Sequence, residues 1–244
     1  MLDWIFPRVC ELCHAPSEHE LCAACIERLP RVPLPICLYC GAPVAGEQQD
    51  PYRCRECSGR PRSFDLARSA LAGSEESLNL IYRLKYHRAN YLAGALAGLL
   101  HTLWESTPAL KAHADWALVP VPIGPEHLYA RGFNQTAELA RALGRLRGAR
   151  VISPLVRRPT DAESQTRLSA AARWRNALRA YAPHAAWSRG QQRLPAHLVL
   201  VDDVYTTGST ARACAQALKT IPGVEKVAVL TVMRATHSGW GTAA

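Results

Sequence analysis

Eight of the nine cysteines in this 244-residue chain fall within the first 57 positions, as four pairs of one spacing: Cys10/Cys13, Cys22/Cys25, Cys37/Cys40 and Cys54/Cys57. Two thiolates separated by two residues in a tight turn can face one tetrahedral ion, and two such turns complete a closed shell of four sulfurs. The segment therefore predicts two structural zinc ions. A disulfide framework is the alternative. The start "MLDWIFPRVC" has neither a basic leader nor a long apolar stretch, so the sequence reads as cytoplasmic, where reducing conditions disfavour disulfides. A thioredoxin-like redox pair would be single and set in a βαβ pattern, which this segment lacks. Placing the first two turns on one ion and the last two on the other is the simplest pairing, and an interleaved cross-brace is the other. His14 and His19 are spare and expected to face solvent.

Charge separates the cysteine module from the rest. Through Arg62 there are seven Lys/Arg against eight Asp/Glu, a balance of −1 before metals and −5 once two zinc tetrathiolates are counted; the remainder holds 22 against 12. The module is thus a poor electrostatic grip on nucleic acid, and any basic surface belongs to the second part. No apolar run reaches membrane-spanning length, so no membrane insertion is expected. The longest, "YLAGALAGLLHTLW", carries leucines at 92, 96, 99, 100 and 103 at helical spacing and reads as a core helix.

"RLPRVPLPIC", with three prolines, should be a stiff joint between the two zinc turns. After "SGRPRS" the composition shifts to alanine, leucine and arginine, which places a boundary near Arg62: a double zinc ribbon over 1–62 and a second domain over 63–244. Beyond it strands and helices alternate. The pattern predicts a short strand at Leu66 to Leu71, a helix from Glu75 to Tyr86, the leucine helix, and a buried strand in "WALVPV". A helix follows from Asn134 to about Leu146 with Leu139, Leu143 and Leu146 on one face, then a strand in "RVISPLV". "LVLV" and "KVAVLTVM" flank a helix from about Thr210 to Lys219, on which Cys214 reads as a core thiol. Such alternation indicates an α/β fold with a mostly parallel sheet covered on both faces. The forty residues between Val151 and Leu198 include a segment with Arg157, Arg158 and Arg167, readable as a lid over something anionic or as a solvated loop. Its second half looks helical, with Ser169 as N-cap and Trp174, Leu178 and Tyr181 on one stripe.

The stretch "LVLVDDVYTTGST", Leu198 to Thr210, concentrates the chemistry. In an open α/β sheet ligands bind outside the carboxyl ends of strands, where the next helix offers unpaired N–H groups and its positive dipole end. Gly208 lets the backbone approach an anion, and hydroxyls of Thr206, Thr207, Ser209 and Thr210 supplement the N–H donors: a cradle for a phosphate monoester. Asp202 and Asp203 beside it would repel the phosphate, so they must face hydroxyls or a divalent cation. A ribose 5-phosphate meets both needs. Neither a Gly-x-x-x-x-Gly-Lys-Ser/Thr loop nor a Gly-x-Gly-x-x-Gly turn after a strand is present, and a ligand-free capped turn is the plain alternative.

These thirteen residues, including Val204 between acids and loop, resemble the PRPP-binding signature of type I phosphoribosyltransferases. With "RLKYH" at 83–87, "LVPVP" at 118–122, "RGFNQTAELARAL" at 131–143 and "SQTRLSAAARWRNALRAY" at 164–181, behind a double CxxC module, essentially the whole chain is similar to the ComF/GntX family of competence-associated proteins. The resemblance implies a phosphoribosyltransferase fold joined to a zinc ribbon and a role in handling incoming single-stranded DNA with other uptake proteins. It also implies that Asp202 and Asp203 hold ribose hydroxyls and the Val204 to Thr210 stretch the 5-phosphate. "PVPIGP", Arg131 and Lys85 would lie near a pyrophosphate carried with Mg²⁺, although Lys85 equally suits a helix C-terminal cap. No residue stands out as a general base. Two readings follow: a phosphoribosyltransferase with an unidentified acceptor, or a non-catalytic PRPP-sensing scaffold whose arginine-rich surface binds single-stranded DNA. Between Arg131 and Arg179 there are eleven arginines against three acids, with Trp174 and Tyr181 placed either to stack on bases or to pack in a core.

Overall fold

The computed structural model describes residues 8–44, 52–59, 63–86, 89–157, 180–189 and 193–235. Arg158, Arg167, the helix read from Ser169 with Trp174 and Leu178, the boundary at Arg62 and the tail "HSGWGTAA" lie outside them; Tyr181, read as the end of that helical stripe, instead opens a short antiparallel strand opposite Arg157.

The ribbons come first. In each, a Cys-x-x-Cys turn closes between short antiparallel bridges, Val9 with Pro16 and Ile36 with Pro43. The residue after the second cysteine of each turn takes a left-handed conformation, His14 at φ 58° and Gly41 at φ 69°. Each ribbon's later pair sits at the start of a short helix, α1 (Ala23–Arg28) after Cys22 and α2 (Arg55–Ser58) after Cys54.

A parallel sheet follows, built from β1 (Leu66–Ala72), β2 (Ala117–Pro120), β5 (His197–Tyr205) and β6 (Lys226–Arg234) in the order β1-β6-β5-β2. Helices α3 (Glu75–Tyr86), α4 (Leu92–Glu105), the short α5 (Pro108–Lys111) and α7 (Gln135–Arg147) join the first core layer, and α9 (Ser209–Leu218) faces the second. Strand alternation sorts the side chains between the layers: Val199 and Val201 pack with Leu80, Leu96 and Leu139, whereas Leu198 and Leu200 pack with Ala211, Cys214 and Leu218. Cys214 is fully buried there, as its place on the helix predicts. Leu139 and Leu143 are buried on α7, but Leu146 is 53% exposed, so the buried stripe ends one turn earlier than the spacing suggests.

The expected strand in "RVISPLV" divides. Val151 makes a single parallel bridge to Leu118, while β3 (Leu155–Arg157) turns away to pair antiparallel with β4 (Tyr181–Pro183), ahead of the short α8 (Ala185–Ser188). Pro154 sits at the break: lacking an N–H it cannot continue the ladder, and its carbonyl instead accepts from His184 N at 2.7 Å.

The ribbons dock on the outer edge of β1. Ala67 N donates to Tyr39 O at 2.7 Å, Ala72 N donates to Pro30 O at 2.9 Å, and Arg31 bridges Leu71, so the proline-rich joint runs along the strand. Cys10, Leu21, Cys25 and Leu29 of the first ribbon belong to the core layer of α3 and α4; Cys37, Tyr39, Cys40 and Cys57 of the second belong to that of α9.

Candidate functional site

The eight paired cysteines converge as two groups, Cys10/Cys13/Cys22/Cys25 and Cys37/Cys40/Cys54/Cys57, with the ligand atoms of each group within 4.8 Å of one another. The pairing is sequential. Zn–S bonds of about 2.3 Å in a tetrahedron set sulfur–sulfur edges near 3.8 Å. Cys13 and Cys22 Sγ are 3.8 Å apart, and Cys40 and Cys54 Sγ 3.6 Å. Backbone N–H groups of Cys22 and Cys54 each donate to an opposing sulfur at 3.4 Å, as thiolates require. The donor sets fit two structural zinc ions, closed by four ligands and without an open position for substrate. His14 and His19 are exposed and belong to neither group.

A third cluster, His113, Asp115 and His197, lies where β2 and β5 begin. Its donors are already engaged: His197 Nδ1 is 2.8 Å from Asp115 Oδ1, and Lys226 Nζ donates to His113 Nε2 at 2.9 Å. These contacts tie the three residues and Lys226 into a charge network.

At the other end of the sheet, β5 extends further than "LVLV" suggests. Its pairing with β6 continues through Asp202 to Tyr205 opposite Arg234, while its pairing with β2 ends at Val201 opposite Pro120. Asp202 and Asp203 therefore lie within the strand, yet beyond the last rung on the β2 side. That is the crevice in which ligands of open α/β sheets sit.

Alternation aims Asp203 at the face of α3 and α7. It is 4% exposed and forms an ion pair with Lys85, from the last turn of α3. Gln135 Nε2 donates to its other oxygen at 3.4 Å. Arg131, ending α6 (Pro125–Arg131), donates to Gln135 Oε1 at 3.0 Å and to Tyr86 Oη at 3.3 Å, with its guanidinium 5.0 Å above the Tyr86 ring. The result is a closed polar circuit, Lys85–Asp203–Gln135–Arg131–Tyr86. Lys85 thus neutralises one of the two acids. Gln135, 3% exposed, is the member that sequence reasoning missed; its only signal was a polar residue directly after the helix-capping Asn134. Asn134 Oδ1 accepts from Thr136 N at 3.0 Å, and Asn134 Nδ2 and Thr136 Oγ1 both donate to Val121 O, which ties the start of α7 to the end of β2.

Among the described residues Asp202 forms no ion pair of its own. Loss of hydration, and then the charge of Asp203, raise its carboxyl well above the usual range. Its oxygen accepts from Asp203 N at 2.9 Å.

The loop that follows has the expected form. Gly208 is left-handed at φ 73° immediately before α9, Thr206 and Thr207 are exposed, and Ser209 N and Thr207 Oγ1 are 3.4 Å apart. Gly208 is required twice over, since a methyl group there would lie 2.1 Å from Tyr205 Oη. The turn "PVPIGP" is less open: Glu126, 62% exposed, folds its carboxylate back over Gly124. An anion at that turn requires this side chain to swing out.

Fold and sites together define a protein in which a double ribbon, each half carrying four cysteines, is built onto the edge strand of a parallel α/β sheet, with an acid pair and a glycine loop at the sheet's carboxyl end. The double zinc ribbon domain family model matches residues 1–58. Over 221 residues the chain is 32% identical to the DNA utilization protein YhgH of Salmonella typhi, covering 87% of this chain and 91% of that one. It is 27% identical to Competence protein F of Haemophilus influenzae over 222 residues, 90% and 92% of the two chains. With Competence protein ComFC of Bacillus subtilis it shares 24% identity over 225 residues, 89% and 85%. The chain belongs to the ComF/GntX family. Among the described residues no helix is long and apolar enough to cross a membrane.

Proposed function

We propose that this protein acts in the handling of incoming single-stranded DNA during natural competence, and that it does so through a site for PRPP or a related ribose 5-phosphate at the end of β5. The observation that carries the ligand reading is the geometry of Asp202 to Thr210: two acids past the last β2 rung, then a left-handed glycine and four hydroxyls opening a ten-residue helix. A 5-phosphate suits the loop, and sugar hydroxyls donating to Asp202 suit a carboxylate without an ion pair among the described residues. The names of the relatives, competence and DNA utilization proteins, support the cellular role.

Arg131, held by Gln135 and Tyr86 within the polar circuit, is a described cation suited to a pyrophosphate, once Glu126 has moved. Mg²⁺ bound with the ligand would supply charge neutralisation for a departing pyrophosphate. The test is calorimetric titration of PRPP with Mg²⁺ into the zinc-loaded wild type and Asp202→Asn/Asp203→Asn. Binding to the first and none to the second supports the reading, and no binding to the folded wild type refutes it. Release of pyrophosphate upon adding an acceptor then separates a transferase from a sensor.

A second reading, a scaffold that binds single-stranded DNA, is favoured by one observation. Tyr82, Tyr86 and Tyr129 are 54%, 58% and 94% exposed, and Arg131 lies over Tyr86, a combination suited to stacking bases beside a cation. Much of the arginine-rich stretch between Arg131 and Arg179, from Arg158 to Arg179, lies outside the described residues. Oligonucleotide affinity that does not change with salt, or with Tyr86→Ala/Tyr129→Ala, argues against this surface.

A further inference from the structure

The two zinc sites differ in what holds them. In the first, Arg28 of the ribbon itself donates to Cys25 Sγ at 3.3 Å. In the second, the donor comes from β6: Arg234 Nη1 donates to Cys40 O at 2.7 Å, and Nη2 to Cys40 Sγ at 3.6 Å. Arg234 is 6% exposed, ends β6 directly opposite Tyr205, and lays its guanidinium 4.5 Å over the Tyr205 ring.

Tyr205 in turn is the floor of the glycine loop. It is 3% exposed, its hydroxyl has no hydrogen-bond partner among the described residues, and the Cβ that Gly208 lacks would fall 2.1 Å from Oη and 2.5 Å from Cζ. A second route runs through aromatic rings. Tyr39, next to Cys40, stacks on Phe64 at 4.6 Å and 12°, and Phe64 meets Tyr205 edge-on at 6.5 Å and 85°. The knuckle bearing Tyr39 and Cys40 has little freedom, since a methyl group on Gly41 would lie 2.6 Å from Ala67 O of β1.

We infer that Arg234 and Tyr205 are positioning residues that couple the second zinc site to the loop at 206–210, so that the shape of the loop depends on whether that site holds its metal. The ring of Tyr205 is held between Arg234 and Phe64, and both rest on the knuckle at 37–40. When the ion leaves, nothing fixes Cys40 in the tetrahedron, its grip on Arg234 loosens, and Tyr205 is released beneath Gly208. Coupling is reciprocal: what distorts the loop must weaken the metal at that site. Only the effect on ligand affinity rests on the PRPP reading; the link between loop and metal stands without a ligand.

The test uses full-length protein loaded with ¹¹³Cd, whose two tetrathiolate sites give separate resonances, the first ribbon serving as internal control. Gly208→Ala and Arg234→Met are each expected to shift the same resonance, that of the second site. Each should also speed metal loss from that site to a chelator by about tenfold, a usual size for loss of an outer partner of a metal ligand. Arg234→Lys keeps the charge and is the milder variant; it loses the forked contact to Cys40 and should shift that resonance too. The inference falls if Gly208→Ala leaves the second-site resonance unmoved, or if both resonances move alike. Saturating PRPP should slow metal loss from the second site alone. If PRPP has no effect while the variants behave as stated, the ligand reading fails and the coupling stands.

Discussion

Replacing Lys85 by methionine tests the polar circuit at its ion pair. The substitution keeps most of the side-chain volume but leaves Asp203, whose side chain is 6% exposed, without its cation and beside a second acid. Stranding one member of a buried ion pair costs about 3–5 kcal/mol. Lys85 itself is 21% exposed and Gln135 still donates to Asp203, which places the cost at the lower end, about 3 kcal/mol. At roughly 2–4 °C per kcal/mol for a chain of this size, zinc-loaded Lys85→Met should melt about 6–12 °C below wild type in a thermal scan at pH 7.5. Asp203→Asn in the same background should recover at least half of the loss, because the stranded charge is then gone. A deficit below about 1 kcal/mol, or a strictly additive double substitution, would refute the reasoning and return Lys85 to the role of a free cation for an anionic ligand.

Asp202→Asn should raise the melting temperature at pH 7 to 8. The wild-type carboxyl is held above its unfolded value by burial and then by Asp203, so its ionisation costs stability as pH rises; the gain over wild type should fade toward pH 4, and a pH-independent gain would count against it. Ser69 and Thr231 share a buried hydroxyl pair at 2.6 Å, so Ser69→Ala should cost about 1–3 kcal/mol by urea denaturation, and adding Thr231→Val should return part of it. Elemental analysis of protein purified without chelator should give two zinc ions per chain, and their removal should lower the melting temperature sharply, since both ribbons contribute to the main core layers. Gly41→Ala, forced into a left-handed φ and against Ala67 O, should lower metal retention at the second site while leaving the first intact.

The features legible in the sequence were those carried by close neighbours. Cys-x-x-Cys turns, the run from Leu198 to Thr210 and the α7 start after Asn134 are each specified within a dozen residues, where spacing alone fixes which groups can meet. Lys85 with Asp203, Arg131 with Gln135, and Arg234 with Cys40 are partnerships across distant segments. Nothing local to Lys85 distinguishes an ion-paired lysine from one that caps its helix, and "TVMRA" gives no sign that its arginine reaches back to a zinc ligand. The strand at "RVISPLV" failed for a different reason: β-branched residues on both sides of Pro154 keep the pattern of one strand, although the missing N–H divides it. The short α6 went unread because its prolines and glycines describe its ends better than its middle.

The sheet order also bears on how the chain is made. β1 is the first strand of the sheet to be synthesised, yet among the described residues its partner within that sheet is β6, the last; Ser69 and Thr231, which meet in the buried pair, are 162 residues apart. A nascent β1 would wait through nearly the whole of translation for its partner on the inner edge, and a bare edge is prone to pairing with another chain. Pro30, Arg31 and Tyr39 precede it and hydrogen-bond or bridge its outer edge. The ribbons thus leave this strand one bare edge where it would otherwise have two, and a chain whose ribbons fail to close would expose both.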